Sequence, residues 1–96
     1  MLTGKQKGYL RSMGNEMDPI LQVGKGGITE SVITQTNEVL EVRELIKCRV
    51  LQNCSDEPKV VATELAEQVK ADLVQVIGRN FLLFRQSMDK PVIVLP

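Results

Sequence analysis

A chain of 96 residues, 43% apolar and 25% charged, makes one domain with an ordinary capacity to bury a core. Its 12 basic and 12 acidic side chains cancel, which excludes a protein that coats nucleic acid by net charge alone. With no histidine and two cysteines, Cys48 and Cys54, the sequence lacks a zinc ligand set, a C-x-x-C redox pair and the commonest general base. No apolar run reaches the length of a signal-peptide core or a membrane span, so the expectation is a soluble cytoplasmic protein with reduced thiols and no cofactor.

Thr3 to Met13 reads as a helix. Thr3 is placed to cap it, and Gln6, Tyr9, Leu10 and Met13 recur at helical spacing, with Lys5, Lys7 and Arg11 largely off that stripe. Gly14-Asn15 ends it, and Asp18-Pro19 forces extended backbone into a short strand within the apolar run Pro19 to Val23. Thr29 is a good cap for a second helix, whose stripe is Val32, Ile33, Thr36, Val39 and Leu40.

The period then switches to two. Ile46, Cys48 and Val50 alternate with Lys47 and Arg49, the pattern of a strand with a basic outer face. Ser55 or Asp56 is expected to cap a third helix with Pro58 in its first turn and Val61, Leu65 and Val69 buried. Leu73 to Ile77 and Phe81 to Arg85 read as two strands joined at Gly78-Arg79-Asn80. The tail 86–96, ending in Pro91 to Pro96, is extended, and a further edge strand is one reading of it. The order α-β-α-β-α-β-β gives an α/β domain with a mixed sheet, because helical crossovers join parallel strands and a hairpin joins antiparallel ones.

The candidate chemistry lies at Gly24-Lys25-Gly26-Gly27, between the first strand and the second helix. Glycines let the backbone approach a ligand closely, and a helix start adds partial positive charge, so the arrangement favours an anion such as phosphate. Lys25 falls inside the glycines instead of after them, which excludes a nucleotide P-loop. The third glycine of a dinucleotide fingerprint would fall at Thr29. The pattern that fits is G-x-x-G, the loop with which KH-type domains clamp single-stranded backbone; a plain strand-to-helix turn fits as well.

Charge is unevenly distributed. Lys5, Lys7, Arg11 and Lys25 dominate residues 1–29, while Asp56, Glu57, Glu64, Glu67 and Asp72 dominate 56–72, which suggests one basic and one acidic side. Tyr9, Phe81 and Phe84 are the only aromatic residues, too few for a base-stacking platform, so any contact with RNA would rest on phosphates and shape. Glu38, Glu41 and Glu44 read as solvating charges of the second helix, and no catalytic motif is present. No enzyme activity is expected.

Four segments in order resemble the CRM domain, named for chloroplast RNA splicing and ribosome maturation: Leu2 to Arg11, Val23 to Thr29, Arg43 to Lys47, and Ile77 to Arg85. They cover residues 2–85, and the length is similar to the bacterial stand-alone YhbY-like form. Met13 to Glu16 stands where the family often has Ala-His, and Phe84 where tyrosine is usual. The resemblance implies a single compact domain with a four-stranded mixed sheet and three helices, similar to the C-terminal domain of a bacterial translation initiation factor. It also implies RNA binding and association with precursors of the large ribosomal subunit.

Carried over residue by residue, it gives an RNA-binding set of Lys5, Lys7, Arg11, Gly24, Lys25, Gly26, Gly27 and Arg79. Lys25 would pair with phosphate while the amides of Gly26, Gly27 and Ile28 donate to phosphate oxygens. The expected partner is large-subunit ribosomal RNA or its precursor particle, with no membrane, metal or small-molecule substrate. The rival expectation is an adaptor that docks a protein through its acidic third helix or its C-terminal tail.

Overall fold

The computed structural model describes residues 2–96. Helix α1 (Gly4–Gly14) is followed by β1 (Leu21–Val23), α2 (Glu30–Arg43), β2 (Leu45–Val50), α3 (Pro58–Val69), β3 (Asp72–Ile77) and β4 (Asn80–Phe84). The strands form one sheet in the order β1-β2-β4-β3. β1 runs parallel to β2, whereas β4 is antiparallel to both β2 and β3. This is the mixed four-stranded α/β domain that the sequence pattern and the resemblance imply.

Local signals explain where the helices start. Thr3 and Gln6 cap α1 reciprocally, Gln6 N–H donating to Thr3 Oγ1 at 3.1 Å and Thr3 N–H to Gln6 Oε1 at 3.0 Å. Thr29 Oγ1 accepts the Val32 N–H at the start of α2. At α3 neither Ser55 nor Asp56 is the cap. Glu57 holds that position without a side-chain bond, because Pro58 already presets the first turn and has no N–H to satisfy.

Period-two alternation divides the core between the two faces of the sheet. Ile46, Cys48, Val50, Phe81 and Leu83 pack under α2 and α3 with Leu40, Val61, Leu65 and Val69. Leu45, Val74, Leu82 and Phe84 face the other way, under Leu10 of α1. β4 therefore has apolar neighbours on both faces, which is why Phe81 to Phe84 reads as a continuous apolar run. Cys48 and Cys54 are free and buried, and burial pushes the Cys48 thiol up to about 12, so it stays protonated.

The tail forms no strand, because Glu41 of α2 and Glu44, the residue that ends that helix, take its backbone donors. Glu44 Oε1 accepts the N–H groups of Val92 and Ile93 at 2.8 and 2.7 Å, and its Oε2 accepts the N–H of Ser87 at 2.7 Å. Glu41 accepts from the Ser87 hydroxyl at 2.7 Å and from the Met88 and Asp89 amides. Ile93 and Leu95 consequently pack on the Leu10 side of the sheet. Glu44 is completely buried, which corrects its reading as a solvating charge. Arg85 fixes the same corner, donating to Asn37 Oδ1 at 2.7 Å and to the carbonyl of Val69 at 2.9 Å.

Candidate nucleic-acid interface

Strand directions bring three turns to one end of the sheet. β1 ends at Val23 opposite Val50, the last residue of β2, and Asn80 of the hairpin pairs with Arg49. The glycine turn, the turn after β2 and the Gly78-Arg79 hairpin loop are therefore neighbours. Gly24 abuts the second of these turns, since a Cβ there would lie 3.4 Å from Leu51 Cδ1 and 3.5 Å from Asn53 Oδ1.

The G-x-x-G segment is a β-turn closed by the Gly27 N–H donating to the Gly24 carbonyl at 3.0 Å. Lys25 and Gly26 occupy its tip and are exposed. Gly27 has φ of +66°, a left-handed conformation that a side chain resists. At Gly26 a Cβ would find only ordinary contact with Thr29, so the fold itself does not require glycine there. The closing bond also corrects the expected donor set: the Gly27 amide is engaged within the turn.

The Arg79 side chain turns back onto the end of β2. Its Nε donates to the Val50 carbonyl and its Nη2 to the Leu51 carbonyl, both at 2.7 Å. The guanidinium thus adds positive charge beside the glycine turn while fixing the position of the neighbouring turn. Lys47 and Arg49 project from β2 on the face opposite the larger core, with Arg49 exposed beside the glycine-turn end.

The basic N-terminal part of the first helix stands apart from this cluster. Leu2 and Lys7 line a cleft with Asp72 and Leu73 at the start of β3, whereas Ile77 at its far end pairs with Asn80. Five steps along the strand make about 17 Å. One phosphate cannot touch both Lys7 and Lys25; a strand of several nucleotides can. Lys7 also shares its cleft with Glu67 and Lys70, so basic and acidic elements meet there instead of facing apart. Lys5 is exposed nearby, and the half-buried Arg11 lies along the helix over Gly8.

Sequence reasoning placed Lys47 on a basic strand face but missed the carboxamides beside it at the open end of the sheet. Asn15, Lys47, Gln75, Ile77 and Asn80 line a small pocket with Leu82, and the Oδ1 of Asn80 is buried without a hydrogen-bond partner among the described residues. The one sequence signal was polar residues at alternate positions of strands whose other residues are apolar. No group of three or more metal-ligating side chains occurs among the described residues, and none of the described helices is long and apolar enough to cross a membrane.

A mixed sheet that presents a cationic glycine turn at a helix start, backed by an arginine-braced hairpin, defines a small α/β domain suited to polyanions. The chain belongs to the CRS1/YhbY (CRM) domain family, whose model matches residues 2–85. It is similar to Probable RNA-binding protein YqeI of Bacillus subtilis (strain 168), at 48% identity over 96 residues and the whole of both chains. It shares 35% identity over 86 residues with Probable RNA-binding protein PA4753 of Pseudomonas aeruginosa, covering 90% of this chain and 83% of that one. The solution structure of the hypothetical protein SAV1595 from Staphylococcus aureus matches the whole of both chains with a TM-score of 0.83 and 52% identity.

Proposed function

We propose that the chain is a cytoplasmic RNA-binding protein that associates with precursors of the large ribosomal subunit and assists their assembly without catalysing a reaction. The observation that carries this reading is the exposed turn Gly24–Gly27, with Lys25 at its tip and the start of α2 immediately behind it. Lys25 pairs with one phosphate, and the amides of Gly26 and Ile28 donate to its oxygens. Arg79 adds charge at the same end, while Lys5, Lys7 and Arg11 extend the contact along a longer strand. The family supports the RNA partner, as do the names of the relatives from Bacillus subtilis and Pseudomonas aeruginosa.

The docking alternative loses part of its basis in the tail, whose amides are held by Glu41 and Glu44 and whose Ile93 and Leu95 pack on the chain's own core. Crosslinking in living cells, followed by sequencing of the bound RNA, tests the reading. Recovery of large-subunit ribosomal RNA and its precursors is the expected result. Recovery of messenger RNA alone would overturn the assembly role.

A further inference from the structure

The pocket at the open end of the sheet differs chemically from the glycine turn. Cross-strand pairing places Arg49, Asn80 and Ile77 in one row and Lys47, Leu82 and Gln75 in the next. The C-terminal end of α1 closes one side, with Gly14 so close to Leu82 that a Cβ would clash with Leu82 Cδ1. Asn15, Gln75 and Asn80 bring carboxamides to this space, Lys47 brings one cation, and Ile77 is 59% exposed at its rim.

The Oδ1 of Asn80 is a buried acceptor without a donor among the described residues, so its carboxamide gains a hydrogen bond by turning outward towards a donor in the pocket. A phosphate offers no N–H and would repel it. A nucleobase edge offers an N–H beside an acceptor, the pattern that a carboxamide matches with two hydrogen bonds. The exposed side chain of Ile77 offers an apolar contact for the face of a ring. The pocket lies two strands from β1, about 10 Å across the sheet, and Arg49 stands between them. A strand anchored at the glycine turn can therefore cross Arg49 and reach it.

We infer that this pocket receives one unpaired nucleobase of the strand whose phosphates the glycine turn holds, with the Asn80 carboxamide reading the base edge. The inference rests on the RNA-binding reading above and adds a base contact to a surface that otherwise reads phosphates. Adenine is the base to probe, because its N6–H donor and N7 acceptor match an asparagine carboxamide.

The test titrates the full chain with a fluorescent oligoadenylate and with a ribose-phosphate strand of the same length that lacks bases. Wild type is expected to bind the oligoadenylate about tenfold more tightly, the contribution of one modest bidentate pair. Asn80→Ala is expected to lose most of that preference while keeping its affinity for the baseless strand. It should also melt no lower than wild type, since the change removes an unpartnered buried oxygen. If Asn80→Ala melts well below wild type, the preference is read on Gln75→Ala, which is expected to reduce it.

Equal affinity of wild type for the two strands would overturn the base pocket and leave phosphate binding standing. A full preference retained in a folded Asn80→Ala, or in the Gln75→Ala that replaces it, would also overturn the pocket. Binding of neither strand by wild type would remove the RNA-binding reading and this inference with it.

Discussion

The carboxylate of Glu44 accepts the backbone N–H of Ile93 at 2.7 Å across 49 positions of sequence. Burial alone would raise the Glu44 pKa, but the N–H groups of Ile93, Ser87 and Val92 hold it below the ordinary 4.5. Neighbouring Glu41 is also lowered, first by the Ser87 hydroxyl and then by the Met88 amide. A depressed folded-state pKa means that the clamp contributes fully above pH 4.5 and is lost as pH falls through the lower folded value. Protection of the Val92 and Ile93 amides, measured relative to the intrinsic exchange rate at each pH, should accordingly be high at neutral pH and fall in acid once pH drops below 4.5 and through the lower folded value.

Glu44→Gln tests the same clamp at constant pH. One amide oxygen can still accept from Val92 and Ile93, but the NH₂ then faces the Ser87 N–H, donor against donor. The expected cost is about 1–3 kcal/mol in denaturant unfolding. Carboxypeptidase should also trim the tail faster than in wild type. Unchanged stability and trimming would show that the Glu44 carboxylate does not hold the tail.

Arg85 joins α2 to the end of α3 through Asn37 and the Val69 carbonyl. A lysine cannot reproduce the forked geometry, so Arg85→Lys should destabilise by about 2 kcal/mol despite keeping the charge. RNA affinity is expected to change little, because this corner lies at the Phe84 end of β4, away from the glycine turn. Thermal melting and an RNA titration of the same variant separate the two effects.

Gly14 and Gly27 are glycines for different reasons. Gly27→Ala places a side chain at φ of +66° and should cost about 1–2 kcal/mol. Gly14→Ala gains up to about 1 kcal/mol of helix propensity but drives its Cβ against the buried Leu82, an overpacking cost of about 1–3 kcal/mol. The steric term should win, because Gly14 is the last residue of α1, where propensity counts least. Gly26→Ala is the control and should melt within about 0.5 kcal/mol of wild type.

Most of the fold was legible because its signals are local. Thr3 and Thr29 announce two helix starts, the alternation at Ile46, Cys48 and Val50 announces β2, and Gly78 announces the hairpin. What escaped depends on pairs distant in sequence. Glu44 has the spacing of a solvating charge, and nothing local says that Ser87, Val92 and Ile93 will surround it. Arg79 reads as a free cation until the β2–β4 register places the Val50 and Leu51 carbonyls beside it. The Asn80 pocket likewise exists only once three strands and the end of α1 are assembled. In the candidate site, the glycine turn was visible as a motif. Its internal Gly24–Gly27 hydrogen bond and its separation from Lys7 were not.

The most direct measurement is the affinity of wild type and Lys25→Glu for a single-stranded RNA across a series of salt concentrations. Lys25 is exposed at the tip of the turn, so the substitution should leave melting unchanged. Weaker binding is expected, with a slope of log K against log salt that is shallower by about 0.7, the loss of one neutralised phosphate. Wild-type affinity and slope in the variant would contradict the claim that the Gly24–Gly27 turn holds the RNA.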